Sequence, residues 1–198
     1  MLKIGITGNI GSGKTTVAKV FELLGIKVFY ADAEAKKVMT ADTVLIEGVK
    51  KAFGKESYLD DGALNRKHIA SIVFNSEDEL NKLNALVHPA VFRAFDGWAK
   101  GYASEPYVIK EAAILFESGS YKFCNETLLV AAPLETRIKR VIGRDNISRA
   151  EVEAREARQF TQEKKMEMAS HILINDDSRL LIPQILELHQ QFLKLAGA

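Results

Sequence analysis

A glycine-rich segment near the start of the chain constrains its fold more than any other feature. Residues 8–15 read Gly-Asn-Ile-Gly-Ser-Gly-Lys-Thr and match the pattern G-x-x-x-x-G-K-[ST] at every fixed position. The apolar stretch 2–6 before this segment predicts a strand, and the amphipathic stretch after it predicts a helix that ends at Gly25. A strand, a glycine-rich loop and a helix in this order predict the first unit of a parallel α/β sheet.

The fixed residues of this segment predict a site for the phosphates of a nucleoside triphosphate. Gly8, Gly11 and Gly13 would let backbone N–H groups turn toward a phosphate, and the following helix N-terminus adds partial positive charge. The Lys14 ammonium suits the β- and γ-phosphate oxygens, and the Thr15 hydroxyl suits the Mg²⁺ that accompanies them. The segment alone is compatible with a GTPase, a transport ATPase or a kinase.

Two patterns typical of the other classes do not occur in the sequence. The Asn81-Lys82 pair is followed by Leu83-Asn84 rather than by the x-Asp of a guanine-reading motif. The sequence contains no Gly-Gly dipeptide and so no Leu-Ser-Gly-Gly-Gln transporter signature. We therefore favour a kinase that closes over its substrates to exclude water. A nucleoside or nucleoside monophosphate kinase, and a nucleotide-dependent switch protein, stay open as alternatives.

The remaining hydrophobic pattern predicts a P-loop NTPase-type α/β fold, with three α/β/α layers and a five-stranded parallel sheet. Further strands are expected over 26–30, 107–110, 127–132 and 171–174, and a closing helix over 179–195. Helical periodicity recurs in 44–53, 66–74 and 80–86. We predict a nucleotide-binding core (1–32, 105–135 and 166–198), an inserted helical acceptor domain (33–104) and a basic helical lid (136–165).

Charge and composition limit the possible partners. The net charge of +1 argues against general affinity for nucleic acids, although residues 136–165 hold nine basic and five acidic side chains. That segment could bind an anion or be a solvated helical surface. No apolar run approaches the roughly 18 residues of a membrane span, and the N-terminus leads into a strand without a signal peptide, so we expect no membrane partner and a cytoplasmic location. Cys124 is the single cysteine, which we interpret as an ordinary thiol.

Two carboxylates are candidates for chemistry at the ends of predicted strands. Asp32 follows the second strand and could be a base or orienting group for an acceptor hydroxyl, with a water-mediated hold on Mg²⁺. The alternative is that Asp32 caps a helix starting near Ala33. Glu111 ends the third strand and could fill the Walker B role, although Lys110 before it is atypical.

Taken together, these segments resemble the dephospho-coenzyme A kinases. The resemblance covers nearly the whole chain and rests on the order and spacing of the following segments: residues 4–18, Leu24-Gly25 through Ala31-Asp32-Ala33, Arg66 with Val73-Phe74, Leu86-Val87-His88-Pro89, Leu115-Phe116-Glu117, Arg140 with Arg144-Asp145, Gln159, and Ile174-Asn175. Single motifs are weak, and His88-Pro89 alone would more often mark a helix start.

The resemblance implies transfer of the ATP γ-phosphate to the ribose 3′-hydroxyl of dephospho-coenzyme A. We expect Mg²⁺ to accompany ATP, and the chain to be a monomer or a small homo-oligomer. The implied catalytic residues are Lys14, Asp32 and Arg140, and Thr15 and Asp32 would hold the metal. The implied ATP-binding residues are Gly8, Asn9, Ile10, Gly11, Ser12, Gly13, Lys14, Thr15, Thr16, Arg140, Arg144 and Asn175. The implied acceptor-binding residues are Thr7, Asp32, Lys36, Arg66, His88, Pro89, Glu111, Leu115 and Glu117.

The chain departs from the family pattern at six positions. The family has aspartate, arginine, proline, leucine, glutamine and aspartate where this sequence has Tyr30, Lys36, Ala113, Ile114, Arg137 and Ser170, in that order.

Overall fold

The computed structural model describes residues 1–74 and 76–198, which form two compact units. Residues 1–30 and 99–198 make the first unit, and residues 31–98 make the second. The first unit contains the sheet, and the second is built from helices. The assignment of a core, an acceptor domain and a lid stays a prediction about the roles of these parts.

Five parallel strands form the sheet of the first unit. They are β1 (Leu2–Thr7), β2 (Lys27–Tyr30), β3 (Tyr107–Glu111), β4 (Glu126–Ala131) and β5 (His171–Ile174). Their order is β2-β3-β1-β4-β5, and every neighbouring pair is parallel. This confirms the predicted α/β fold with a five-stranded parallel sheet. The strand that ends before Asp32 is not the direct neighbour of β1, because β3 lies between them.

The helices follow the predicted alternation with the strands. They are α1 (Lys14–Leu23), α2 (Ala31–Ala41), α3 (Thr43–Phe53), α4 (Arg66–Val73), α5 (Glu77–Lys100), α6 (Leu134–Asp145), α7 (Arg149–Glu156), α8 (Gln162–Met168) and α9 (Leu181–Ala196). In the part of the chain that the structure describes, no helix combines the length and the apolar character that crossing a bilayer would require.

Alternate positions of β1 face opposite sides of the sheet, and both sides are buried. Ile4 and Ile6 are fully buried in a core shared with α1 and α9, where Phe21 and Phe192 contact each other and the ring of Tyr107. On the other face, a Cβ at Gly5 would lie 2.7 Å from the Leu115 side chain. Buried apolar strands of this kind are typical of parallel sheets.

A small cluster beside the glycine-rich loop joins α6 to α7. Ile138 and Val141 of α6 pack on Val152 of α7, and the side chain of Ile10 packs against the three. The helices of the basic segment, residues 136–165, thus share a hydrophobic contact with the loop. Helix α6 runs through Gly143 and ends at Asp145, and its C-cap Asn146 has a left-handed φ of 52°.

In the second unit, two of the alternatives that the sequence left open do not hold. Pro89 lies inside α5 rather than at a helix start. The helix continues because Ala90, Val91 and Phe95 bury one apolar face, which outweighs the hydrogen bond that proline cannot make. Helix α2 begins at Ala31 rather than near Ala33, so Asp32 lies in the first helical turn and is not the N-cap.

An ion pair ties the first and last parts of the second unit together. Asp42 is the N-cap of α3 and accepts a hydrogen bond from the Leu45 N–H at 2.8 Å. The Arg93 guanidinium of α5 donates to both carboxylate oxygens of Asp42, at 2.8 Å each. The same carboxylate therefore caps one helix and anchors another.

Candidate active site

The glycine-rich loop, residues 8–13, connects β1 to α1 in a conformation that requires glycine. Gly11 and Gly13 have φ angles of 79° and 91°, a region that side chains with a Cβ rarely adopt. A Cβ at Gly11 would lie 2.4 Å from the backbone oxygen of Arg137, and one at Gly13 would lie 2.4 Å from the Asn175 side-chain nitrogen. The loop is thus closed on two sides by other parts of the first unit, and neither side has room for a larger residue.

Three predicted functional side chains meet at the start of α1. Lys14 Nζ lies 3.6 Å from Glu111 Oε1, and Thr15 Oγ1 lies 3.5 Å from the same oxygen. Glu111 is the last residue of β3 and is nearly buried, with its backbone in register between Ile6 of β1 and Tyr30 of β2. A hydroxyl and a carboxylate are oxygen donors of the kind that Mg²⁺ takes beside substrate phosphates, so these residues fit that ion.

Lys110 does not prevent Glu111 from reaching this position. Successive side chains of a strand point to opposite faces, so the two residues face different sides of the sheet. Burial lowers the pKa of Lys110 to about 8.

Burial raises the pKa of the Cys124 thiol, which lies on the same side of the sheet as Gly5, to about 11. That thiol stays protonated at neutral pH, which agrees with an ordinary, unreactive cysteine.

Arg140 and Asn175 hold the second half of the loop. The Asn175 amide donates to the Ser12 carbonyl at 2.8 Å, and Arg140 donates to the backbone oxygen of Asn175 at 3.1 Å. The same guanidinium bonds to Asp177 Oδ1 at 2.6 Å and lies 3.4 Å from the Gly11 carbonyl. Both residues are therefore brought to the loop, as their predicted ATP-binding role requires.

Arg144 lies on the surface of α6, one turn further along the helix than Arg140. It is four residues from Arg140 on a continuous helix, so the two share a face. Its guanidinium is 65% exposed and bonds to the Asp145 carboxylate at 2.7 Å. In this structure Arg140 reaches the loop and Arg144 pairs with its sequence neighbour.

The segment after β3 contains the predicted residues Leu115 and Glu117. Leu115 is fully buried next to Gly5 of β1, so it is a core residue. Glu117 Oε1 lies 3.0 Å from Lys165 Nζ and accepts a hydrogen bond from the Phe160 N–H at 2.8 Å. Lys165 is fully buried, and burial lowers its pKa despite the Glu117 carboxylate. The pair fixes the end of the basic segment against the sheet.

The backbone oxygen of Ala113 is a hub within this segment. It accepts hydrogen bonds from Thr7 Oγ1 at 3.3 Å, from Gln159 Nε2 at 3.2 Å and from Lys165 Nζ at 3.1 Å. Thr7, predicted to contact the acceptor, is itself fully buried. Ala113 replaces the family's proline without loss of this contact, because only its carbonyl takes part.

The other predicted acceptor residues belong to the second unit. Asp32 and Lys36 are exposed on α2, four residues apart and so on one face of that helix. Arg66 is the first residue of α4, and His88 and Pro89 lie within α5. At the end of β2 in the first unit, the Tyr30 hydroxyl donates to Glu22 Oε2 at 2.9 Å.

Sequence reasoning missed the side chains that support the first half of the loop. Glu156 and Arg137 bond to each other and to residues of the loop, while Gln159 accepts a hydrogen bond from the Ile10 N–H at 2.9 Å. Glu156 lies 147 residues from its partner Asn9, and no local pattern indicates such a contact. Gln159 carried a signal through its match to the family pattern, and Arg137 through its departure from that pattern.

The parallel sheet and the loop between β1 and α1 define a P-loop nucleotide-binding protein. A family model described as dephospho-CoA kinase matches residues 2–180. A dephospho-CoA kinase of Salinibacter ruber is 42% identical over 178 residues, which cover 89% of each chain. This chain belongs to the dephospho-CoA kinase family.

Two solved structures share the fold of this chain, and one of them is a dephospho-CoA kinase. The chain resembles the dephospho-CoA kinase from Campylobacter jejuni with a TM-score of 0.71 and 25% identity, and the match covers 97% of each chain. It resembles the structure of TT1252 from Thermus thermophilus with a TM-score of 0.79 and 36% identity, over 98% of this chain and 96% of that one.

Proposed function

We propose that this chain transfers the γ-phosphate of ATP to the ribose 3′-hydroxyl of dephospho-coenzyme A, which yields coenzyme A and ADP, the last step of coenzyme A synthesis. The observation that carries the proposal is the complete phosphate loop, with Lys14 and Thr15 next to the Glu111 carboxylate, in a chain matched to this family over residues 2–180. These groups offer the charge and the donors that phosphoryl transfer needs.

The first unit would bind the nucleotide. Backbone N–H groups of residues 8–16 would hold the phosphates, together with the positive end of α1. Lys14 would neutralise charge that develops on the transferring phosphoryl group. Thr15 and Glu111 would hold Mg²⁺, which supplies further positive charge to the phosphate oxygens when bound. Arg140, Arg144 and Asn175 would complete the ATP site.

The acceptor would be bound and activated by the residues that the family resemblance implies for this role. We propose Asp32 as the group that accepts or orients the proton of the 3′-hydroxyl and that holds Mg²⁺ through water. The remaining acceptor contacts would come from Thr7, Lys36, Arg66, His88, Pro89, Glu111, Leu115 and Glu117. The burial of Thr7 and Leu115 means that their contribution would be to shape the site rather than to bond to the acceptor.

An acceptor screen tests the proposed function. Purified protein with ATP and Mg²⁺ should release ADP rapidly with dephospho-coenzyme A, and slowly with adenosine, AMP or no acceptor. Preference for a mononucleotide would mean a nucleotide kinase instead. ADP release that does not depend on any acceptor would mean a nucleotide-dependent switch.

Arg140→Lys should lower kcat by at least about tenfold, because lysine keeps the charge but loses the planar fork that can hold two phosphoryl oxygens. Arg149→Lys is the matched control. Arg149 pairs at the surface with Glu135 and Glu153, and exposed pairs contribute little to stability, so its kcat should stay within about twofold of wild type. Steady-state kinetics and ATP dissociation constants of the two variants test this difference. Equal small losses in both variants would remove Arg140 from the proposed ATP site.

A further inference from the structure

One carboxylate joins the phosphate loop to two helices of the basic segment. Glu156, the last residue of α7, accepts a hydrogen bond from Asn9 Nδ2 through Oε1 at 2.9 Å. Its other oxygen accepts one from Arg137 of α6 at 2.6 Å. Because both oxygens are used, the position of the Asn9 side chain is linked to α6 and α7 through a single group.

Further contacts fix the same half of the loop. Asn9 Nδ2 also donates to the Phe160 carbonyl at 3.0 Å, and Arg137 lies 3.4 Å from the Ile10 carbonyl. Gln159 accepts from the Ile10 N–H, so the peptide groups on both sides of Ile10 are held by side chains of the basic segment. The backbone of Arg137 also closes the space beside Gly11.

The ion pair between Glu156 and Arg137 lies where the positions of its side chains matter more than the free energy that the pair contributes. Arg137 is 4% exposed and the Glu156 side chain 20% exposed, so removal of either partner leaves a charge with little solvent. Asn9 is also buried, and its Oδ1 has no hydrogen-bond partner among the residues that the structure describes, so its orientation depends on the two bonds that its amide nitrogen makes. Arg137 stands where the family pattern has glutamine, so a neutral side chain at this position is a reasonable test.

We propose that Glu156 and Arg137 are positioning residues that clamp Asn9 and Ile10 and thereby set the affinity of the phosphate loop for ATP. The proposal rests on the proposed function only in taking ATP as the ligand of the loop. Neither side chain needs to touch the nucleotide, because Glu156 acts through the Asn9 side chain and Arg137 acts through the Ile10 carbonyl.

The direction in which ATP affinity changes separates a positioning role from a direct electrostatic effect on the nucleotide. Removal of a negative charge near a phosphate site should strengthen ATP binding through Coulomb forces, and removal of a positive charge should weaken it. A clamp predicts weaker binding in both cases, because either change releases the loop. Glu156→Gln and Arg137→Gln therefore test the clamp when they are compared directly.

The experiment measures the ATP dissociation constant of the full chain by calorimetry, without acceptor. We expect Glu156→Gln and Arg137→Gln each to weaken ATP binding about tenfold, the typical effect of losing a hydrogen bond to a charged group. The double variant should lose less than the product of the two single effects, because both changes release one clamp. In turnover assays, the KM for ATP should rise while the acceptor KM stays within about twofold. The matched control is Glu153→Gln, also on α7, whose exposed pair with Arg149 should have no effect on ATP binding.

Unchanged or tighter ATP binding by Glu156→Gln would overturn the proposal, even if the variant melts earlier. If that single variant does not fold, the double variant decides, since it leaves no unpaired buried charge and conserves the net charge. Weaker ATP binding in the double variant supports the clamp, and wild-type affinity overturns it. Because binding is measured without acceptor, the outcome does not depend on whether dephospho-coenzyme A proves to be the substrate.

Discussion

Lys14→Ala should reduce kcat by about 10³-fold and leave the fold intact, in line with the loss of one preorganised group that stabilises transition-state charge. The ammonium lies at the first residue of α1, close to Glu111, where it would meet the β- and γ-phosphates. We propose that it stabilises the charge of the transferring phosphoryl group more than that of bound ATP, so turnover should fall more than affinity does. Steady-state kinetics with ATP and dephospho-coenzyme A measure this effect.

Lys19→Ala is the matched control, since Lys19 is exposed on the same helix. It removes an equal charge from α1 without touching the loop, and its kcat should stay near the wild-type value. Turnover of Lys14→Ala within tenfold of wild type would remove the phosphate loop from the chemistry. Circular dichroism of both variants should match wild type, which excludes unfolding as the cause of a loss.

Asp32→Asn should lower kcat by about 10²–10⁴-fold, the usual range for a positioned base, with a much smaller change in ATP affinity. The amide keeps the size of the side chain but cannot accept the proton of the acceptor hydroxyl. Asp32 is exposed in the first turn of α2, so the stability cost of losing its charge at the helix N-terminus is only about 0.3–1 kcal/mol. Kinetics and thermal melting of the same protein sample measure the two effects separately.

Glu34→Gln provides the comparison for Asp32→Asn. Glu34 lies in the same first turn and pairs with Lys37 at 2.8 Å, so its removal costs a similar favourable interaction with the helix end. We expect the two variants to melt at similar temperatures and only Asp32→Asn to lose turnover. If Asp32→Asn melts early but turns over normally, the carboxylate serves only the end of the helix.

Local patterns in the sequence were sufficient for the phosphate loop and for the strands. The loop motif is defined by residues within a stretch of eight positions. Gly11 and Gly13 adopt the positive φ angles that the motif implies. Each of the five strands was predicted to within about two residues, because buried strands of a parallel sheet are short apolar runs. Local patterns failed at Pro89, where the motif suggested a helix start and tertiary burial of α5 carried the helix through.

The sequence by itself determined that a phosphate-binding loop opens a parallel α/β sheet, and its motif order determined the family. Only the tertiary structure decided that β3 lies between β1 and β2, which brings Glu111 within 3.5 Å of Thr15 across 96 positions of the chain. It also decided that Glu156 and Arg137 support the loop, while Arg144 pairs with Asp145. The reason is physical: turn geometry and apolar periodicity are set by neighbours along the chain, whereas strand order and buried ion pairs depend on packing between distant segments.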